Sequence, residues 1–335
     1  MNPKTASASA VSTPRARQTA GETDSRTTQE RSTRASGTTR SIRARVNAYV
    51  ALTKPRIIEL LLVTTLPTMI VAKRGLPSLA LMAATLLGGA LAAGGANAMN
   101  MYVDRDIDEV MDRTRNRPLV TGALSARSAL FFAITLEVVA FVELFTLVNL
   151  LSAVLAVSAT AFYVFVYTLW LKRRSTQNIV IGGAAGAVPV LVGWAAVTGR
   201  LAWPPIVLFG IIFIWTPPHF WALAVKYRKD YKAAHVPMLP VVASMKRTAG
   251  EILAYTVLLV AVSVLFYFVA EMGLVYLTVA AVLGAIFIYM SARLLLSALG
   301  DRATDKEAMR LFTYSITYLT VLFVAMAGDV LIRRY

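Results

Sequence analysis

A bundle of membrane-spanning α-helices is the fold this sequence predicts, and three observations predict it. Mean hydropathy is +0.62, and 57% of residues are hydrophobic while only 16% are charged. Apolar runs of about 20 residues recur along nearly the whole chain after residue 56, each matching a hydrocarbon layer of ~30 Å at a helical rise of 1.5 Å per residue. Lipid offers no partner to open sheet edges, so the architecture should be all-α and polytopic. These features exclude an ordinary soluble two-domain chain. They also explain the formal charge of +16 without nucleic acid, because the basic residues are spread over a tail and short loops, where membrane topology places them. The absence of cysteine excludes disulfides, a thiolate nucleophile and a thiolate metal site.

Taken in order, residues 1–46 form a Ser-, Thr-, Arg- and Ala-rich tail with no aromatic residue, expected to be disordered, followed by a membrane domain over 47–335. Glu22, Asp24 and Glu30 argue against an organellar transit peptide, so a cytoplasmic tail and a bacterial inner membrane are expected rather than a mitochondrial one. Nine spans are expected at 57–72, 78–102, 128–148, 150–171, 179–198, 204–225, 252–270, 273–296 and 310–331, with Pro67 bending the first. Placing the N-terminus inside puts 29 of the 34 Lys and Arg residues on the inner face, the asymmetry that the positive-inside rule requires.

The chemistry concentrates where the second span ends, in NMYVDRDIDEVMDRTRNRP at 100–118. Asn100, Asp104 and Asp108 recur at a spacing of four, which on a helix makes one acidic stripe with a step of only about 40°. Carboxylates so spaced repel one another, and a helix C-terminus disfavours anions further. A compensating cation is therefore expected, and hard oxygen ligands suit Mg²⁺, which commonly bridges a few carboxylates to substrate phosphates. The competing reading is a solvated loop in which these acids pair with Arg105, Arg113, Arg115 and Arg117.

Two later stretches belong to the same face. KYRKDYKAAHVPMLP at 226–240 offers Asp230 as a further acid, beside Lys226, Arg228 and Lys229. The fourth span ends in Lys172, Arg173 and Arg174, with Tyr167 five residues earlier, placed to present a hydroxyl or π-face. Arg113, Arg117, Lys172, Arg173 and Lys226 are candidate ligands for phosphate oxygens. His219, in WTPPHFWALA, is a lone intramembrane histidine, which is either a hydrogen-bonded structural residue or a ligand or proton donor. Gly182, Gly183 and Gly186, like the glycines of GGALAAGG at 88–95, read as helix-packing positions. No Walker loop, zinc site or Ser/His/Asp triad is present.

These residues resemble the UbiA-type intramembrane prenyltransferases, whose first signature is an Asn and two Asp at spacing four, matched by Asn100, Asp104 and Asp108. The branch of that family acting on haem is similar at DRDIDEVMDRTRNRPL (104–119), NIVIGGAAGAVPVLVGW (178–194), WTPPHFWALA (215–224), DYKAAHVPMLPVV (230–242) and TKPRIIELLLVTT (53–65). The resemblance covers about residue 48 to the C-terminus. It implies transfer of a farnesyl group from farnesyl diphosphate to a vinyl group of haem B, giving haem O, with Mg²⁺ as cofactor. It implies Asn100, Asp104 and Asp108 as metal-diphosphate ligands, Asp230 as a ligand of a second site, and His219 as a matched position to which the resemblance assigns no role. Haem A synthase or terminal-oxidase assembly factors are the implied protein partners. Alternatives are a quinone-precursor acceptor or a non-catalytic haem-handling or transport protein. Two positions depart from the branch, His235 where Gly is usual and Val190 where a second Pro is common, and a turn needing positive φ would be strained by His235.

Overall fold

The computed structural model describes residues 41–333, with the backbone alone over 56–62. The elements run α1 (41–53), α2 (Pro55–Lys73), α3 (Leu79–Val103), α4 (Arg105–Val110), α5 (Ala126–Leu147), α6 (Leu150–Leu171), α7 (Asn178–Thr198), α8 (Trp203–Lys226), α9 (Arg228–Ala233), α10 (Leu239–Val242), α11 (Met245–Val269), α12 (Leu274–Leu299) and α13 (Asp305–Ile332). No strand occurs among the described residues. Contacts divide the chain into residues 1–47 and 48–335, and the second unit holds the helical bundle. The expected tail boundary at residue 46 falls inside α1, and the rest of the tail, 1–40, lies outside the described residues.

Eight of these helices, α3, α5, α6, α7, α8, α11, α12 and α13, are long and apolar enough to cross a membrane. They overlie the second to ninth expected spans. The first expected span falls within α2, which contains Pro67 and the stretch 56–62. Helix ends differ from the hydropathy boundaries because caps, not apolarity, set them. Ser244 accepts a hydrogen bond from Arg247 N at 3.2 Å, so α11 starts seven residues before the expected 252. A reciprocal Thr304–Glu307 capping box starts α13 at Asp305 rather than 310. The inner loops expected between spans also carry structure: α4 lies in the first, 103–127, and α9 and α10 in the third, 226–251.

The largest apolar core lies among α8, α11, α12 and α13, where Trp221, Phe266, Tyr276, Phe287, Tyr318 and Phe323 are fully buried. Glycine lets α7 approach its neighbours on two sides. A Cβ at Gly182 would clash with the Tyr167 ring of α6, and one at Gly183 would stand 2.8 Å from Thr216 of α8. Gly186 differs from the packing expectation, since nothing lies within 4 Å of the corresponding Cβ position.

Candidate active site at the charged end of the bundle

The acidic stripe survives, but not on one helix. Asp104, with φ −88° and ψ 8°, ends α3 and starts α4. The four-residue hydrogen bonds nonetheless run through the break, from Asp104 N to Asn100 O (2.9 Å) and from Asp108 N to Asp104 O (2.8 Å), so the three side chains stay on one side. All three are buried, Asp104 at 0% and Asp108 at 3% exposure. The Asn100 amide donates to Asp104 Oδ2 at 2.7 Å and stands 3.2 Å from Thr168 Oγ1.

Buried carboxylates need paired charge, and separate segments of the chain supply it. Lys172 bonds to Asp104 Oδ2. Arg173 lies 3.7 Å from Asp104 Oδ1 and grips Asp106 with two hydrogen bonds of 2.6 and 2.7 Å. Arg117 bonds to Asp108 Oδ2 at 2.6 Å. Lys54 donates to Asn100 Oδ1 at 3.2 Å. A shallow recess of about 440 Å³, lined by Val103, Arg105, Asp106, Leu169 and Arg173, opens beside this cluster.

Local sequence explains how two of these cations arrive. Pro55 disfavours an α-helical residue before it, and Lys54 leaves the helical region for φ 52° between α1 and α2. Burial, with Arg117 and Lys172 nearby, lowers the Lys54 ammonium to about 7. In α6 the last turns, Phe162–Leu171, are π-helical. Lys172 N therefore bonds to Tyr167 O five residues back, and Thr168 Oγ1 bonds to Tyr163 O. The five-residue spacing of Tyr167 and Lys172 is one π turn, and π segments concentrate at functional sites. Tyr163 stacks on Tyr167 with centroids 5.3 Å apart.

The other expected site residues are distributed unevenly. Arg113 and Lys226 both lie over the Tyr227 ring, at 5.6 and 5.5 Å. Tyr231, next to Asp230, packs in one apolar cluster with Ile107 and Met111, which brings the third inner loop against α4. Asp230 itself makes no ion pair among the described residues, and His219 lies apart, in the seam between α8 and α13. Arg173's forked hydrogen bonds hold the Asp106 carboxyl below the ordinary carboxylate range. Lys54, Thr168 and Tyr163 do not stand out in the sequence, although the TKPR segment holding Lys54 is among the similar ones.

No three His, Cys, Asp or Glu side chains among the described residues stand together as a preformed metal cage. The donor set still suits a hard cation shared with a phosphate: Asp104 Oδ1 is buried without a hydrogen bond, and such an oxygen is an available ligand.

Comparison with known proteins gives a consistent family. The sequence model described as the UbiA prenyltransferase family matches residues 61–316. A protoheme IX farnesyltransferase of Parafrankia sp. (strain EAN1pec) is 54% identical over 288 residues, 86% of this chain and 91% of that protein. One from Streptomyces coelicolor is 51% identical over 291 residues, 87% of this chain and 92% of its own. Among solved structures, a digeranylgeranylglyceryl phosphate synthase superposes with a TM-score of 0.70 at 18% identity, covering 85% of this chain and 98% of the other. A UbiA homologue from Archaeoglobus fulgidus bound to GPP and Mg²⁺ gives 0.55 at 17% identity, covering 83% and 99%. At these identities the structural likeness concerns the fold.

Proposed function

The chain belongs to the UbiA prenyltransferase family, and we propose that it transfers the farnesyl group of farnesyl diphosphate to a vinyl group of haem B. The allylic C–O bond breaks, C1 of the farnesyl group bonds to the terminal vinyl carbon, and water adds at the neighbouring carbon with loss of a proton, giving haem O and diphosphate. The observation that carries this reading is the meeting of Lys54, Arg117, Lys172 and Arg173 with the buried groups of Asn100, Asp104 and Asp108 at the end of an apolar bundle. The protoheme IX farnesyltransferase relatives support the choice of substrates.

Asn100, Asp104 and Asp108 would hold Mg²⁺, with Asp230 at a second position. The ion would neutralise charge that develops on the departing diphosphate. Lys172, Arg117 and Arg173, already gathered at the cluster, stabilise the same charge through diphosphate oxygens, and Arg113 and Lys226 extend this basic rim around Tyr227. The stacked rings of Tyr163 and Tyr167 offer a π-face to the allylic cation and keep water from it. In this reading the chain crosses the bacterial inner membrane nine times, with its N-terminus and the charged end inside. That placement is supported by the distribution of Lys and Arg residues.

Purified protein supplied with labelled farnesyl diphosphate and either haem B or 4-hydroxybenzoate tests the assignment. Haem O is the expected product, reduced by Asp104→Asn and Asp108→Asn. Prenylation of the benzoate alone would overturn the acceptor, and wild-type rates in both variants would overturn the metal-diphosphate site.

A further inference from the structure

An intramembrane histidine is costly unless its polar edges are used, and only one edge of His219 is accounted for by the fold. Its ring is clamped between Trp215, with centroids 4.1 Å apart, and Phe312, at 4.5 Å, while Phe220 meets it edge-on at 5.1 Å. Nδ1 stands 2.7 Å from Ser315 Oγ. That hydroxyl has one proton, and it donates to Phe312 O at 2.6 Å, a separation at which two oxygens without a proton between them would repel. Nδ1 therefore carries the ring N–H and donates to Ser315, leaving the lone pair on Nε2. The same serine's carbonyl accepts from Trp215 Nε1 at 2.8 Å, so one fully buried residue fixes both rings.

Nε2 makes no hydrogen bond among the described residues, although the residue is only 7% exposed. An imidazole whose N–H is tied to a fixed oxygen while the opposite nitrogen presents a lone pair has the arrangement of a metal-ligating histidine, in which the outer hydrogen bond sets tautomer and ring direction. The iron available to this protein is that of its acceptor. Resting on the haem assignment above, we propose that Nε2 of His219 is an axial ligand to the iron of haem B, and that Ser315 positions it. The aromatic walls then have a second use, because Trp215 and Phe312 keep the imidazole from turning and so fix the direction from which Nε2 would meet the iron.

The chain contains two histidines, and the other, His235, is exposed after α9. Full-length protein made with ¹⁵N-histidine, loaded with haem B in detergent and examined by resonance Raman spectroscopy, tests the ligand without touching the core. An iron–nitrogen band that shifts with the label is expected in the wild type and in His235→Gly. The band should vanish in His219→Ala and return with added imidazole. Ser315→Ala should weaken haem affinity about tenfold while the band persists, shifted. A haem-loaded wild type whose spectrum ignores the label would overturn the ligand and leave the acceptor standing. Wild-type protein that fails to bind haem would overturn the acceptor assignment itself.

Discussion

Asp104 and Asp329 are both almost wholly buried, at 0% and 1% exposure, yet they are held in opposite ways at opposite ends of the bundle. Asp329, late in α13, caps α12 with backbone donors: Gly273 N reaches its Oδ2 at 2.5 Å and Tyr276 N its Oδ1 at 3.3 Å. Both oxygens are occupied by groups that cannot move without unwinding a helix, and the helix N-terminus favours the charge. Asp104 is met instead by the ends of long side chains, Lys172 and Arg173, together with the Asn100 amide, and one of its oxygens has no hydrogen bond. Flexible cations can be exchanged for a metal or handed to a phosphate, whereas backbone N–H groups cannot. A buried acid satisfied by backbone belongs to the fold, and one satisfied by exchangeable side chains is available for chemistry.

Substitutions can break or sharpen that contrast. The largest effect is expected of Asp104→Asn, which should lower the rate of haem O formation by about 10²–10³-fold with a melting midpoint near that of the wild type. Gly182→Ala comes next: the new methyl would displace Tyr167, and turnover should fall on the order of tenfold to a hundredfold with protein yield retained. Asp329→Ala should do the converse, costing about 1–2 kcal/mol of stability in denaturant titrations while leaving turnover per folded molecule unchanged. Loss of activity in a stable Asp329→Ala protein would erase the distinction. His235→Gly should stabilise by about 0.5–1 kcal/mol, because His235 sits at φ 54°, where glycine is unstrained. The smallest change is expected of Asp106→Asn. Its side chain is 60% exposed, and such a pair contributes only about 0–1 kcal/mol. A fall in rate comparable to that of Asp104→Asn would show that burial is not what separates the two acids.

Much of this end of the molecule was legible in the sequence, for identifiable reasons. A spacing of four implies a shared helical side, and that relation outlasts the break at Asp104 because hydrogen bonding continues through it. Lys172 and Arg173 follow an apolar run that returns to the same face, so their meeting with the acids needed only the span count. The four arginines from 105 to 117, in contrast, look alike in one dimension. In three, Arg117 holds buried Asp108, Arg115 pairs with exposed Asp112 at 3.1 Å, and Arg105 and Arg113 lie over Tyr102 and Tyr227. Lys54 escapes notice because its bond to Asn100 joins residues 46 positions apart, across a turn whose left-handed geometry no propensity reports. The positive φ at His235 could be foreseen, since the residue type conflicts with the turn.

The π turns of α6 have a consequence for how this site could be gained or lost in descent. An i→i+5 turn carries one residue more than an α turn, so Phe162–Leu171 has the form of a helix that accepted an insertion and kept it. Removing a single residue there would relax the segment to ordinary α geometry with every side chain type still present. Lys172 and Thr168 would then be swung away from Asp104 and Asn100. A lineage could lose this half of the site by one codon deletion, without any substitution at the acidic stripe.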